Sequence, residues 1–280
     1  MGVKISTTLD TSGVKFSWKD KIKKITLPQE LTLDLAYDIG VHIADGSMNI
    51  YHRKHKVDYY YSCSGNPETE REWYDNTLLP LKKKLFNFPD KNSLFNDKTY
   101  GIQFRSKAIL EFYNKVIGLP LGKKCEIIKI PDLIYDAGLK VRLACLRGIF
   151  DADGYISFKK RHKKFHYYPY LGIGTNSESL SKQIETIFKE IHLKNSKCFV
   201  RRWDKRINKY LECYQNNVSG RKNFNKFRKI VGFRVSNDIA KIRIWEKFGY
   251  CPPNLSFVER LKILGGEIDP LEKYNGPARI

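Results

Sequence analysis

A twelve-residue segment occurs twice in this chain of 280 residues. Residues 35–46 read LAYDIGVHIADG and residues 143–154 read LACLRGIFDADG, with six identical positions and a spacing of 108 residues from one final aspartate to the other. A repeat at this spacing indicates a fold built from two copies of one unit of about a hundred residues. The repetition therefore constrains the architecture more than any other feature of the sequence.

Small residues recur at every fourth position of both copies: Ala36, Gly40 and Ala44 in the first, and Ala144, Gly148 and Ala152 in the second. This spacing places them on one face of a helix, and a face without bulky side chains lets two helix backbones approach closely. We therefore expect the two helices to pack through these faces about a pseudo-twofold axis. Asp45 and Asp153 would then lie side by side, with Gly46 and Gly154 in the left-handed conformation that ends a helix.

The elements after each segment are also repeated. A basic run begins eight residues after each aspartate and lies between aromatic, alternating stretches that are typical of a β-hairpin. Each half then has an amphipathic helical pattern, a second pair of extended segments and a closing helix with an N-terminal serine and a glycine at its end. The expected order in each half is helix, hairpin, helix, hairpin, helix. In the first half the second helix is expected near 67–86, the second hairpin near 93–104 and the closing helix from Ser106 to Gly118. In the second half the same elements are expected near 177–193, near 197–218 and from Ser219 to Gly232.

The repeat also suggests how the chain is divided. We expect an N-terminal extension (1–30), a first half-domain (31–140), a second half-domain (141–250) and a C-terminal tail packed on the second half (251–280). The extension contains a basic run, Lys19 to Lys24. This run either follows a DNA backbone or is simply solvated, and the sequence leaves both interpretations open.

The charge balance indicates the class of partner. The chain has 51 Lys+Arg against 30 Asp+Glu, a formal net charge of +21, of which +5 lies in residues 1–140 and +16 in residues 141–280. Because 41% of the residues are hydrophobic, a disordered polycation is excluded. A folded, strongly basic protein is expected to bind a polyanion, and nucleic acid is the first candidate.

The same composition bears on the compartment. No stretch approaches the roughly 18 apolar residues of a membrane span, and no basic-then-apolar signal segment opens the chain. The six cysteines form no Cys-x-x-Cys pair, which favours reduced thiols in a soluble, intracellular protein of the cytoplasm or an organelle. The ends lack the terminal Cys or Ser and the His-Asn pair of an intein, so self-splicing is not expected.

Two carboxylates at adjoining helix ends have a chemical consequence. Asp45 and Asp153 would repel each other, and each would lie near the negative end of a helix dipole. Magnesium binds through a few carboxylates, waters and phosphate oxygens, so it would relieve this repulsion when a phosphodiester is bound. Such an arrangement suits two-metal phosphoryl hydrolysis. An EF-hand is excluded because Tyr155 and His162 occupy ligand positions, and the histidines lack partners for a zinc site.

Together these segments resemble the LAGLIDADG homing endonucleases in their single-chain, two-motif form. The stretch PDLIYDAGLKVRLACLRGIFDADGYISF at 131–158 and GLPLGKK at 118–124 strengthen the likeness, which extends over roughly residues 31–235. The resemblance implies an α+β fold of tandem αββαββα repeats related by a pseudo-twofold axis. The antiparallel sheets of the two repeats would form a DNA-binding saddle.

The resemblance also implies an activity: a monomeric, intron-encoded enzyme that cuts both strands of a long DNA target with Mg²⁺ or Mn²⁺. By motif position, Asp45 and Asp153 would be the metal-binding carboxylates, and the backbone carbonyls of Ala44 and Ala152 secondary contacts. The earlier acidic position is Ile43 in one copy and Asp151 in the other, which makes the centre asymmetric. By equivalent position, the further catalytic candidates, or else ordinary surface residues, are Lys107, Arg221, Gln103 and Asn176.

Basic residues of the hairpins are expected to contact double-stranded DNA. They are Arg53, Lys54, Lys56, Lys159, Lys160, Arg161, Lys163, Lys164, Arg201, Arg202, Lys205 and Arg206. Since Arg201 and Arg202 are consecutive on a strand, they point to opposite faces and only one of them can read bases. The alternative to a nuclease is a cleavage-inactive relative that binds intron RNA as a maturase or DNA as a regulator. The retention of both aspartates favours the nuclease.

Overall fold

Two four-stranded antiparallel sheets follow one another along the chain, and each is preceded by a helix that carries the repeated segment. The structure is a computed structural model that describes residues 7–54, 56–88, 91–96, 98–205 and 208–274, without the side chains of Asn96 and Arg202. Arg206, one of the expected DNA contacts, lies outside the described residues. Both ends of the chain, at 1–6 and 275–280, lie outside them as well.

The first half contains the elements expected from the repeat, with a short helix before them. The elements are α1 (Trp18–Ile22), α2 (Leu33–Ala44), β1 (Gly46–Arg53), β2 (Lys56–Gly65), α3 (Arg71–Trp73), a π-helical turn (Tyr74–Leu78), α4 (Leu79–Phe86), β3 (Ser93–Asn96), β4 (Thr99–Arg105), α5 (Lys107–Glu111) and a second π-helical turn (Phe112–Val116). Helix α2 begins after Thr32, whose side chain accepts from the Leu35 amide at 3.1 Å and so satisfies one of the free donors of the first turn.

The second half repeats this order and continues into further helices. Its elements are α6 (Asp132–Tyr135), α7 (Leu139–Asp153), β5 (Gly154–Lys159), β6 (Tyr168–Thr175), α8 (Glu178–Glu190), β7 (Ser196–Asp204), β8 (Lys209–Ser219), α9 (Arg221–Ile230), α10 (Ser236–Phe248), α11 (Phe257–Gly265) and α12 (Pro270–Lys273). The sequence patterns did not predict α1, α6 or the last three helices.

Both sheets have the same strand order. The first is ordered β1-β2-β4-β3 and the second β5-β6-β8-β7, with every neighbouring pair antiparallel. Alternate residues of β2 and β5, such as Tyr61, Cys63, Ile156 and Phe158, are buried against the helices. Residues on the opposite face of each sheet, the uncovered face, include the exposed Gln103, Arg105, Tyr155 and Lys159. The expected α+β fold with two antiparallel sheets is therefore confirmed.

Gly46 and Gly154 do not have the left-handed conformation expected of them. Gly154 has φ −75° and ψ 160°, and both residues begin a strand directly after their helix. Crowding explains glycine here, because a Cβ on Gly46 would lie 2.2 Å from His42 Nδ1, and one on Gly154 would lie 2.4 Å from the Phe150 carbonyl oxygen.

The closing helices follow the expectation at one end and depart from it at the other. Ser106 caps α5 as expected, accepting from the Ile109 amide at 3.2 Å. The residue before α9 is Gly220 with φ +86°, since Ser219 is still the last residue of β8. Gly118 and Gly232 have φ of +85° and +76°, which an L side chain rarely adopts, so glycine suits both chain reversals.

Candidate active site

The two repeated helices, α2 and α7, approach each other closely. A Cβ on Gly40 would lie 2.0 Å from the carbonyl oxygen of Cys145, and one on Gly148 would lie 2.1 Å from that of Tyr37. These distances leave no room for a methyl group, so the backbones meet at the two glycines. Ala36 is fully buried beside them, and Ala144 packs against the same core.

A polar network crosses this helix interface. The hydroxyl of Tyr37 on α2 donates to Asp151 Oδ2 on α7 at 2.8 Å, and accepts from Trp73 Nε1 at 2.9 Å. Asp151 also accepts from the backbone amide of Arg234 at 3.1 Å. Burial raises the pKa of Asp151 to about 7. The earlier acidic position of the second copy thus lies in the helix interface, hydrogen-bonded within the protein.

Asp45 and Asp153 occupy the ends of α2 and α7. Asp45 is the residue that ends α2, where its amide donates to the Val41 carbonyl at 3.0 Å, and Asp153 is the last residue of α7. Burial raises the pKa of Asp45 well above its usual range, and the charges of Asp153 and Glu70 raise it further. Burial likewise raises the pKa of Asp153. The structure therefore brings the two carboxylates close enough to influence each other's ionisation.

A lysine that sequence analysis did not single out lies beside them. Lys124 Nζ donates to the carbonyl oxygens of Ile43 at 2.7 Å and Ala44 at 2.8 Å, and also to that of His42. Burial lowers the pKa of Lys124 to about 8, against the opposing effect of the Asp153 and Asp45 charges. Its ammonium thus caps α2 and places a positive charge at the carboxylate pair. The GLPLGKK stretch contained this lysine, but nothing in it showed where the side chain points.

A cavity of about 180 Å³ opens next to this group. Its walls come from the end of α2, from the segment after Lys124, and from α7, the end of β6 and the start of α8. The lining residues are Ile43, Ala44, Lys124, Cys125, Ile128, Ile149, Asp153, Ile173, Gly174, Thr175, Asn176 and Leu180. Asn176, one of the catalytic candidates, therefore shares a cavity with Asp153.

The donors at this place suit a hard divalent cation. Asp45 and Asp153 supply carboxylate oxygens, and Ala44 lines the same cavity as Asp153. Within the described residues, no group of three or more His, Cys, Asp and Glu side chains is arranged to hold a metal. Mg²⁺ fits such a sparse set, because it is usually bound through one or two carboxylates with water and phosphate oxygens completing the shell.

The three other catalytic candidates lie elsewhere. Gln103 is on the uncovered face of the first sheet, opposite Ser62, and accepts from Tyr60 Oη at 3.0 Å. Lys107 lines a separate cavity with Trp18 and lies 3.8 Å from Glu111. Arg221 is exposed, with its guanidinium 5.1 Å from the centre of the Trp245 ring. The structure thus groups Asn176 with Asp153 and gives the other three different neighbours.

The expected DNA-contacting cations differ between the two halves. In the first half, Arg53 and Lys56 lie 3.8 Å and 2.8 Å from the buried carboxylate of Asp58. In the second half, several cations lie over tyrosine rings, with Lys159 Nζ 3.4 Å from the centre of the Tyr170 ring. Lys54, Lys160, Arg161, Lys163, Lys164, Arg201 and Lys205 are exposed. Arg201 lies 4.0 Å from Glu212 on the neighbouring strand.

A family model of LAGLIDADG-like domains matches residues 140–232, the part of the chain that holds α7, the second sheet and α9. Among solved structures, I-DmoI in complex with DNA and Mn is similar, with 16% identity, coverage of 72% of this chain and 98% of that one, and a TM-score of 0.50. The LAGLIDADG homing endonuclease I-GzeII in complex with its DNA target has 12% identity, coverage of 83% and 91%, and a TM-score of 0.48. The family model thus covers the second repeat, and the similarity to I-DmoI is one of fold.

Two curated proteins of Methanocaldococcus jannaschii also match part of the chain, each at 24% identity. One is glutamine--fructose-6-phosphate aminotransferase, matched over 162 residues and 58% of this chain. The other is a probable translation initiation factor IF-2, matched over 177 residues and 60% of this chain. The match spans only 14% of the length of either relative. Separately, none of the helices in the described part of the chain has both the length and the apolar character needed to cross a membrane.

Proposed function

We propose that this protein is a site-specific endonuclease that cleaves both strands of a long DNA target. The observation that carries the proposal is the meeting of Asp45 and Asp153, one from each repeat, at the ends of two closely packed helices. Burial raises the pKa of both carboxyls even with Lys124 beside them, so the pair is unfavourable as two anions and would be stabilised by a divalent cation. A protein that only binds a polyanion gains nothing from holding two carboxylates there.

The divalent cation would be Mg²⁺ or Mn²⁺, held by Asp45 and Asp153 with the carbonyls of Ala44 and Ala152. When bound, it supplies Lewis-acid polarisation of the scissile phosphate. Lys124 contributes a fixed positive charge from the protein itself. Its ammonium is hydrogen-bonded to the end of α2, so it is already oriented before a phosphodiester arrives and can stabilise negative charge that develops there.

DNA would lie along the uncovered faces of the two sheets. On the second sheet, the side chains that alternate outward on β5 and β6 include Tyr155, Ser157, Lys159 and Tyr170. Hydroxyl and ammonium groups in this pattern suit hydrogen bonds to base edges and phosphates in the major groove. In this proposal the four-part division of the chain, at residues 30, 140 and 250, separates two DNA-binding half-domains from the flanking segments.

Incubation of the protein with randomised duplex DNA and Mg²⁺, followed by sequencing of the ends, tests the proposal. We expect breaks in both strands at one recurring sequence, and no breaks with Asp45→Asn or Asp153→Asn. Duplex binding should survive in both variants, because neither substitution removes a positive charge. Specific binding without cleavage in Mg²⁺ or Mn²⁺ would contradict the proposal and would support a regulator, whereas a preference for structured RNA would support a maturase.

A further inference from the structure

The N-terminal segment before the first repeat has no counterpart in the second half and is strongly basic. Residues 15–24 read KFSWKDKIKK, with five lysines and a single acidic residue, Asp20. The Asp20 side chain is fully buried, so it contributes nothing to the surface charge. The outer surface of this segment is therefore positive.

The buried aspartate fixes α1 to the first half-domain. Asp20 accepts from Ser106 Oγ at 2.6 Å and from the Ala108 amide at 3.2 Å, both at the start of α5. It also accepts from the amide of Ser17 at 2.8 Å, which closes a capping box on α1 itself. Because movement of α1 would leave the Ser106 hydroxyl and the Ala108 amide without their acceptor, these bonds hold α1 at the end of the first sheet.

This anchoring presents a tryptophan to solvent. The Trp18 side chain is 73% exposed, whereas Trp73 and Trp245 are 1% and 3% exposed. Trp18 lines a cavity of about 280 Å³ with Lys19 of the same helix and with Lys56, Arg105 and Lys107 of the first half-domain. A large, exposed apolar ring surrounded by cations is unfavourable in water and suits a ligand that is both anionic and apolar.

The cavity also adjoins the face assigned to DNA. Asp58 and Arg105 alternate outward with Tyr60 and Gln103, so they belong to the uncovered face of the first sheet. Asp58 is the carboxylate in the cavity wall, and it is already shared by Lys56 at 2.8 Å, Arg105 at 3.7 Å and Arg53 at 3.8 Å. Positive charge therefore predominates from this face to α1.

We propose that α1 and this cavity form an accessory DNA-contacting surface, which binds the duplex beyond the stretch covered by the first sheet. Lys19 and Lys107 bind phosphates of one strand, and the Trp18 ring packs against the deoxyribose between them. The proposal rests on the proposed function, because the ligand is the same DNA duplex, in the part that extends beyond the first sheet. It also assigns the basic run of the sequence to backbone contact.

Binding to two lengths of DNA tests this surface. The shortest duplex that wild type selects from a randomised library is compared with the same duplex extended by one helical turn, about 10 base pairs, at each end. Wild type should bind the extended duplex about fivefold to tenfold more tightly, since it gains phosphate and sugar contacts. Trp18→Ala and Lys19→Ala should each remove most of this gain and leave affinity for the short duplex unchanged.

Ile22→Ala is the matched control, because Ile22 is 58% exposed on the same helix but does not line the cavity. A second readout is acrylamide quenching of Trp18 in a Trp203→Phe background, which the extended duplex should reduce and the short duplex should not. Equal affinity of wild type for both lengths, or an unchanged gain in Trp18→Ala, would overturn this inference alone. A wild type that binds neither duplex would overturn the proposed function as well.

Discussion

Tyr37 Oη donates a 2.8 Å hydrogen bond to Asp151 Oδ2 across the interface of the two repeated helices. In the repeat, the residues that correspond to this pair are Cys145 and Ile43, which are both buried and apolar. The pseudo-twofold arrangement is therefore polar on one side of the helix pair and apolar on the other. This asymmetry lets the second helix fix the first in one register through a directional bond.

Tyr37→Phe should destabilise the protein by about 1–3 kcal/mol, because it leaves one buried donor without an acceptor and removes a hydrogen bond from a buried carboxyl group. Trp73 Nε1 loses its acceptor, and Asp151 loses one of its donors. Urea unfolding of wild type and variant measures the change. Tyr51→Phe is the control, since the Tyr51 side chain is 48% exposed. Equal losses in the two variants would show that the interface bond contributes little.

Gly40→Ala should be more damaging, with a loss of at least about 3 kcal/mol or failure of the two repeats to pack. The added methyl carbon would lie 2.0 Å from the Cys145 carbonyl oxygen, and a clash with backbone can be relieved only by moving the two helices apart, which loses their close packing. Gly13→Ala is the matched control because nothing lies within 4 Å of a Cβ there. Thermal unfolding of both variants measures the difference: a loss of stability in Gly40→Ala but not in Gly13→Ala would be due to the close helix packing and not to alanine in general.

Lys124→Met should lower the stability of the metal-free protein by about 2–4 kcal/mol, since it removes a cation buried beside two carboxylates. It also removes the hydrogen bonds to the carbonyl oxygens at the end of α2. Mg²⁺ should restore more stability to this variant than to wild type, because the carboxylate pair is then without any other cation. Lys123→Met is the control, as the Lys123 side chain is 78% exposed. Identical responses to Mg²⁺ would contradict this role.

Glu70 should make the free energy of unfolding depend on pH near neutrality. Burial raises its pKa from 4.5 to about 7, and the charges of Asp238 and Asp153 add to that effect. Since the folded state favours the protonated acid, this stability is complete below pH 4.5 and is lost as the pH rises through about 7. Between pH 5 and pH 8, the free energy of unfolding of wild type should fall by about 2 kcal/mol more than that of Glu70→Gln.

Unfolding by urea at several pH values checks the Glu70 prediction. Glu68→Gln is the control in the same loop, because Glu68 is exposed. The same slope of stability against pH in Glu70→Gln and wild type would show that Glu70 is not the group that titrates.

The second half should contribute more of the salt-dependent DNA affinity. Neutralising Arg201, Arg202, Lys205 and Arg206 should flatten the dependence of binding on salt more than neutralising Arg53, Lys54 and Lys56. The ion pairs of Arg53 and Lys56 with Asp58 support this order, because Asp58 already balances part of their charge. Titrations at several salt concentrations measure both slopes, and equal slopes would contradict the prediction.

Much of the fold could be predicted because it depends on sequence patterns within short segments. The repeated segment, its small-residue face and the alternation of the hairpins determined two αββαββα units and the place of Asp45 and Asp153. Sequence reasoning failed where a residue's conformation depends on distant neighbours. Gly46 and Gly154 were expected to have a left-handed backbone conformation. Glycine is needed there instead because a Cβ would clash with His42 or with the Phe150 carbonyl, which lie close only once the strand packs against the helix.

The sequence by itself determined the repeat, the net positive charge from which a polyanionic partner is expected, and the two acidic positions, since periodicity and charge are properties of residue order. Tertiary structure decided which side chains join them. Lys124, which is 79 residues after Asp45, donates a hydrogen bond to the end of α2, and Asp151 accepts one from Tyr37 across the helix interface. Hydrogen bonds and burial depend on distances in space, and no local pattern records a distance between segments so far apart in the chain.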